Sequence, residues 1–293
     1  MSFSHATAAP GGRSADGVPR ISCLVSDVDG TLVTDDKRLT EATVSAVRRL
    51  GEAGIRFAVV SSRPPFGMRM LVEPLGLTTP LLAFNGGAAV TPRLETLRQH
   101  LLGPDAARRA IEMMSACGAD VWLFTAERWY VRDPNRPYVE REIRTAQAEP
   151  AAVPDFDALL GAAGKIVGVS ADFDLLARCE AEMRPALGRQ ANVVRSQPYY
   201  LDVTHPMANK GAALRWLSGH LGIPPAGIAT IGDGDNDVAM FRESGFSIAM
   251  GNGRPAAKAA ATVMTAGNDE DGFARAVERY LLARPADAGE ARS

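Results

Sequence analysis

Cysteine is scarce in this chain of 293 residues: three, Cys23, Cys117 and Cys179, far apart and in no CxxC pair. That usage argues against a disulfide framework or a cysteine zinc site. It suits small buried residues in a reducing cytoplasm, the expected location. No run of about 18 apolar residues occurs, so no membrane span is expected. Neither sign of charge dominates: 32 Lys and Arg stand against 34 Asp and Glu, for a formal net charge of −2. Nucleic-acid binding proteins usually show a strong basic excess, so such a partner is not expected. An anionic small molecule is still compatible, because a bound metal can neutralise charge locally. No GxxxxGK[ST] segment is present, which argues against a P-loop enzyme. His100, His205 and His220 have no ligand spacing and read as structural or surface residues. Residues 1–20 are rich in Ala, Gly, Ser and Pro and lack the apolar core of a signal peptide. They and residues 284–293 are expected to be flexible tails.

What the chain has is apolar content, 46% of residues, enough for one large domain or two ordinary ones. Short apolar runs bounded by polar punctuation predict buried strands at Ile21–Ser26, Phe57–Val60 and Leu81–Phe84. Between the first two lies a helical pattern with Val44, Val47 and Leu50 on one face, capped by Thr40 and ended by Gly51 or Gly54. The rhythm returns late. A helix is expected over Lys210–Leu221, stopped by Gly222, then a strand at Ile228–Ile231 and a helix from Val238. Further strands are expected at Ser247–Met250 and Thr262–Met264, with a last helix capped by Asp271. Strand and helix in alternation is the mark of a parallel α/β sheet.

The middle of the chain has another character. Strand-like runs at Val121–Phe124, Trp129–Val131, Ile166–Val169, Val193–Val194 and Tyr199–Val203 alternate irregularly with helical runs at Asp105–Cys117 and Asp172–Ala186. This predicts an inserted α+β domain over 88–204, inside a core made of 21–87 and 205–283. The segment Ala146–Ala163 reads as a long loop, and Trp122, Trp129 and Tyr130 as core residues.

Polar motifs stand where strands end, the place where open α/β sheets bind ligands. Asp27 and Asp29, one residue apart at the end of a buried strand, repel each other unless a cation or protons relieve the charge. Asp233, Asp235 and Asp237 pose the same problem in a second strand-to-helix turn. Side by side on one sheet, the two turns suit a hard divalent cation with all-oxygen ligands, such as Mg²⁺. A calcium loop is the competing metal reading, but Val238 stands where it needs Gly and Ser244 where it needs Glu. Turn formation alone is the structural alternative, since DG and GD pairs favour turns. Lys210 at a helix start opposes the macrodipole, a mild misfit that favours a function for it.

Asp27-Val28-Asp29-Gly30-Thr31-Leu32, with Ser61, Lys210 and Gly232-Asp233-Gly234-Asp235-Asn236-Asp237, resembles the four motifs of the haloacid dehalogenase (HAD) superfamily. Asn85-Gly86, Ala249-Met250-Gly251-Asn252 and Asp271-Gly272 resemble its Cof-like branch, subfamily IIB. The resemblance runs from about Ile21 to Leu282 and implies a HAD-like Rossmannoid core with an α+β cap. It implies that Asp27 attacks phosphorus and becomes an aspartyl-phosphate, and that Asp29 exchanges protons with the leaving group and the water. It implies Mg²⁺ held by Asp27, by the backbone carbonyl of Asp29 and by Asp233, with Asp237 orienting a bound water. Ser61 and Lys210 would bind the phosphoryl group, and Ser62, Arg63, Asn85, Gly86 and Asn236 are further candidates for substrate contact. Ser61 stands where the family more often has Thr, and Asn252-Gly253 departs from the usual Asn-Ala.

The implied activity is a Mg²⁺-dependent phosphatase of a small phosphorylated metabolite, with sugar phosphates as the leading class and pyridoxal phosphate or other phosphomonoesters open. A sugar phosphomutase of the same family and a non-catalytic binding protein on the same fold are the alternatives. Asp29 argues against a dehalogenase, because halide leaves without a proton.

Overall fold

The computed structural model describes residues 21–283; the expected tails, 1–20 and 284–293, lie outside the described residues. In chain order the strands are β1 (Cys23–Ser26), β2 (Arg56–Val60), β3 (Leu81–Ala83), β4 (Ala88–Val90), β5 (Thr96–Gln99), β6 (Asp120–Phe124), β7 (Trp129–Val131), β8 (Ala151–Ala152), β9 (Lys165–Val169), β10 (Asn192–Gln197), β11 (Tyr200–Thr204), β12 (Ile228–Gly232), β13 (Phe246–Ala249) and β14 (Val263–Met264). The α-helices are α1 (Glu41–Glu52), α2 (Arg69–Val72), α3 (Pro104–Ala116), α4 (Val139–Ala146), α5 (Phe173–Leu187), α6 (Lys210–Leu221), α7 (Val238–Glu243), α8 (Pro255–Ala260) and α9 (Gly272–Ala276). Two compact units result: one runs up to Val59 and resumes at Leu214, the other is Val60–Ala213.

The first unit carries parallel strands in the order β14-β13-β12-β1-β2. Every residue of β1 and β12 is buried. That is why both read as unbroken apolar runs: a parallel sheet is covered on both faces. α1 is capped as expected, with the Thr40 hydroxyl accepting from the Thr43 N–H at 3.1 Å. Its inner face is Thr43, Ala46, Val47 and Leu50. Phe57 meets Phe273 edge-on at 5.7 Å. The expected cap at Asp271 takes a different form. Asp271 adopts a left-handed φ of 55° and makes no side-chain cap bond. Its carboxylate accepts the Thr40 hydroxyl at 2.8 Å instead, which ties the start of α1 to the start of α9.

In the second unit β3, β4 and β5 are antiparallel neighbours. A separate six-stranded sheet has the order β10-β11-β9-β6-β7-β8. One of its faces supplies Val121, Leu123, Ile166, Leu201 and Val203 to a core completed by Ala107, Ile111 and Met114 of α3 and Leu176, Cys179 and Met183 of α5. Alternate residues face the other way, as a strand's period of two requires. They include Trp122, Phe124 and Trp129, all fully buried, so the tryptophans are core residues. Both indoles find acceptors, Asp120 at 2.8 Å and the Ala148 carbonyl at 3.0 Å.

The stretch expected as a loop over Ala146–Ala163 holds the short β8 and a 3-10 stretch, Asp157–Ala162. α4 escapes a periodicity reading because charged residues fill half of it. One of them, Glu142, is buried and accepts the Tyr200 hydroxyl at 3.2 Å. The compact unit 60–213 also takes in more chain than the insert expected at 88–204.

Candidate active site

Strands β1 and β12 are parallel neighbours with Ser26 opposite Ile231, and the Asp27 N–H continues the pairing to the Ile231 carbonyl at 2.9 Å. The two acidic turns therefore leave the sheet side by side. Carboxylate oxygens of Asp27, Asp233 and Asp237 lie within 4.8 Å of one another. Asp27 and Asp237 are buried. Three carboxylates that close, two of them out of water, suit a hard divalent cation held by oxygen alone. The donor set fits such an ion.

Each turn is shaped to hold its acid. Amide groups of Thr31, Leu32 and Val33 all point at the Val28 carbonyl, at 3.4, 2.9 and 3.1 Å, and curl the chain after Asp27. Gly30 takes a φ of +78°, and a Cβ there would stand 2.5 Å from an Asp233 carboxylate oxygen. Glycine is required on both counts. The Thr31 hydroxyl donates to the same carboxylate at 3.2 Å. In the second turn one Asp237 oxygen accepts both the Asp233 N–H, at 2.9 Å, and the Gly234 N–H, at 2.7 Å. Those bonds give hydrogen-bond partners to a side chain with no exposed surface.

Asp29 does not enter the carboxylate cluster through its side chain. It is partly exposed and pairs with Lys37 at 2.8 Å. Lys37 carried no signal in the sequence, and a left-handed φ of 65° places it. Asn252 and Asn268 brace the site from further down the chain. Asn252 donates to the Gly30 carbonyl at 2.8 Å and accepts from the Asn268 N–H at 3.0 Å, while Asn268 donates to the Val33 carbonyl at 3.1 Å. Asn236 lies exposed beside Asp235, which pairs with Arg254 at 3.2 Å.

The remaining candidates belong to the second unit. Ser61 follows β2 and is buried; its hydroxyl accepts from the Arg63 N–H at 3.1 Å. Ser62 is half-buried. Arg63 is buried and turned inward, with Nη1 on the Gly67 carbonyl at 3.1 Å. Asn85 donates its N–H to the Ser61 carbonyl at 2.7 Å. Gly86, at φ +92°, sits where a Cβ would be 2.4 Å from the Cβ of Ala213 in the first turn of α6. Lys210 opens that helix, and Asn209 caps it by accepting from the Ala212 N–H at 2.8 Å. Although it is a lysine at a helix N-terminus, Lys210 is 1% exposed. A solvated surface role is thereby ruled out for it.

Among the described residues no helix is long and apolar enough to cross a membrane. The histidines pair as rings: His100 stacks on His205 at 5.0 Å, and His220 on Trp216 at 4.8 Å.

Residues 24–277 match the profile of the haloacid dehalogenase-like hydrolases, and the chain belongs to that family. It is a phosphatase of the HAD type, of the Cof-like branch. An HMP-PP phosphatase from Cronobacter sakazakii is 30% identical over 78% of this chain and 84% of its own. A 5-amino-6-(5-phospho-D-ribitylamino)uracil phosphatase from Bacillus subtilis is 28% identical over 88% of this chain and 97% of its own. The crystal structure of a haloacid dehalogenase-like hydrolase from Bacteroides thetaiotaomicron superposes with a TM-score of 0.81 at 28% identity, covering 89% of this chain and 99% of that one.

Proposed function

We propose that this phosphatase is a Mg²⁺-dependent phosphomonoesterase that works through an aspartyl-phosphate on Asp27. The convergence of Asp27, Asp233 and Asp237 at the ends of two adjacent parallel strands carries this reading. Asp27, the Asp29 carbonyl and Asp233 would hold the ion, with Asp237 orienting a bound water. Bound there, Mg²⁺ supplies positive charge to the phosphoryl oxygens.

An Asp27 oxygen attacks phosphorus, and the bond to the leaving oxygen breaks as Asp29 gives that oxygen its proton. Water then attacks phosphorus and yields its proton to Asp29, and the Asp27–phosphorus bond breaks. Ser61 donates to a phosphoryl oxygen and Lys210 balances its charge. Fixed donors around a compact anion are the main source of rate in such transfers. Ser62, Arg63, Asn85, Gly86 and Asn236 are assigned to substrate contact on the resemblance of their motifs; Arg63 also bonds inward to the Gly67 carbonyl.

The substrate is a small phosphorylated metabolite, a sugar phosphate or a similar phosphomonoester. The named activities of the C. sakazakii and B. subtilis relatives support a small phosphorylated metabolite as the substrate. The insert 88–204 acts as the cap that selects the leaving group, between core segments 21–87 and 205–283. Three free cysteines support a cytoplasmic setting. Asp27→Asn keeps the shape and removes the nucleophile, so phosphate release falls by roughly 10⁴-fold or more. Removing divalent cations abolishes release, and adding Mg²⁺ restores it in the wild type alone. An Asp27→Asn enzyme with normal turnover would sink the mechanism.

A further inference from the structure

The turn Ser61-Ser62-Arg63 is held at all three of its carbonyls. The Asn85 N–H donates to that of Ser61 at 2.7 Å, and the Phe84 N–H to that of Arg63 at 2.9 Å. The third donor is a side chain: Lys165, at the start of β9, places Nζ 3.2 Å from the Ser62 carbonyl.

Lys165 is an expensive choice for that place. It is 7% exposed, and its Nζ stands 4.8 Å from the centre of the Phe124 ring. Its counter-charge is Asp202 of β11, 3.7 Å away and 4% exposed. Neither Asp202 oxygen makes a hydrogen bond. Burial pushes the Asp202 carboxyl above its usual range, and the Lys165 charge, with a smaller part from Ser196, works against that rise. Apolar replacement of a buried ion pair is often neutral or stabilising. Stability alone therefore does not account for Lys165 and Asp202. An ammonium can grip a carbonyl, which an apolar residue of the same length cannot.

The surroundings point to the same turn. Phe84 and Asn85 both take left-handed φ, 51° and 56°. Such conformations persist where neighbours over-determine them, and they gather at functional sites. Gly164, just before Lys165, lies so close to Phe84 that a Cβ would stand 2.6 Å from its ring. The start of β9 thus presses on the strained turn with one residue and holds the Ser62 carbonyl with the next.

We propose that Lys165 is a positioning residue for Ser61, fixing the turn through the Ser62 carbonyl, with Asp202 as the charge that keeps the ammonium in place. The proposal rests on the reading of Ser61 as a donor to the phosphoryl group. Misplacing such a group by about 1 Å costs on the order of 10²-fold in rate.

The test is a double-mutant cycle read by steady-state hydrolysis of p-nitrophenyl phosphate with Mg²⁺. Lys165→Met leaves Asp202 buried without its partner, so the cycle also uses the charge-neutral pair Lys165→Met with Asp202→Asn. Lys165→Met and the neutral pair should each lower kcat by about 10–10²-fold, with KM changing less. Ser61→Ala should lower kcat by a similar factor. Combined with Ser61→Ala, either change should cost little beyond Ser61→Ala alone. Lys165→Gln, which retains a donor, should recover part of the loss. Losses that multiply, or a neutral pair with wild-type kcat, would overturn the positioning role and leave Ser61 in place. Wild-type kcat in Ser61→Ala would overturn the reading of Ser61 itself, and the proposal with it.

Discussion

The turn Asp233–Asp237 and the turn Ser61–Arg63 both follow a strand end, yet they are held in opposite ways. The first is closed from within: Asp237 reaches back four residues to two amides of its own turn. The second is held from outside, at three carbonyls, by Phe84, Asn85 and Lys165. Local closure makes a shape that a short sequence can specify. Distant closure divides the specification among segments about twenty and a hundred positions away.

The contrast breaks most sharply at Asp237. Asp237→Ala strips two part-buried amides of their acceptor and removes one carboxylate of the cluster. It should lower kcat/KM by about 10²-fold and stability by about 3 kcal/mol, read by Mg²⁺-dependent turnover and chemical denaturation. A far smaller effect on both would show that the turn does not close on itself. Glycine sharpens the comparison next. Gly30→Ala meets both a left-handed φ and the Asp233 carboxylate, whereas Gly54→Ala meets a similar φ, +76°, with nothing within 4 Å. The first should cost about 2–3 kcal/mol and weaken cation binding; the second costs about 1 kcal/mol and leaves it alone.

The smallest effect lies in the second unit, at the stacked pair His100 and His205. Burial lowers the pKa of both, with Arg98 and His205 acting further on His100. Below about pH 6.5 the unfolded chain then binds protons that the folded chain resists, so stability falls as pH drops through the histidine range. Above it both states are neutral and nothing is lost. His100→Gln with His205→Gln should flatten that slope in melting curves taken between about pH 5 and 8.

What could be read from the sequence follows the same division. Asp27, Asp29, Asp233 and Asp237 lie in short segments whose charge spacing calls for a cation, and the parallel strands that carry them read as apolar runs. Lys210 was legible as a misfit at a helix start, and the structure buries it. Lys37 was not legible, because its pairing with Asp29 depends on a left-handed backbone that no neighbouring residue announces. Nor was α4, whose buried face includes a glutamate satisfied by a tyrosine 58 positions away. The Asp271 carboxylate reads as a cap for the helix after it and instead serves the helix 231 positions before it. For α4 and Asp271 the deciding partner lies far along the chain.

The closure made by Asp237 has a thermodynamic consequence. Successive amides such as those of Asp233 and Gly234 form a concave nest for anions, and here the protein's own carboxylate already fills it. No loop has to be frozen when a cation arrives. Its binding measured by calorimetry should therefore show the heat of exchanging water for carboxylate, with little conformational entropy lost and little change in heat capacity.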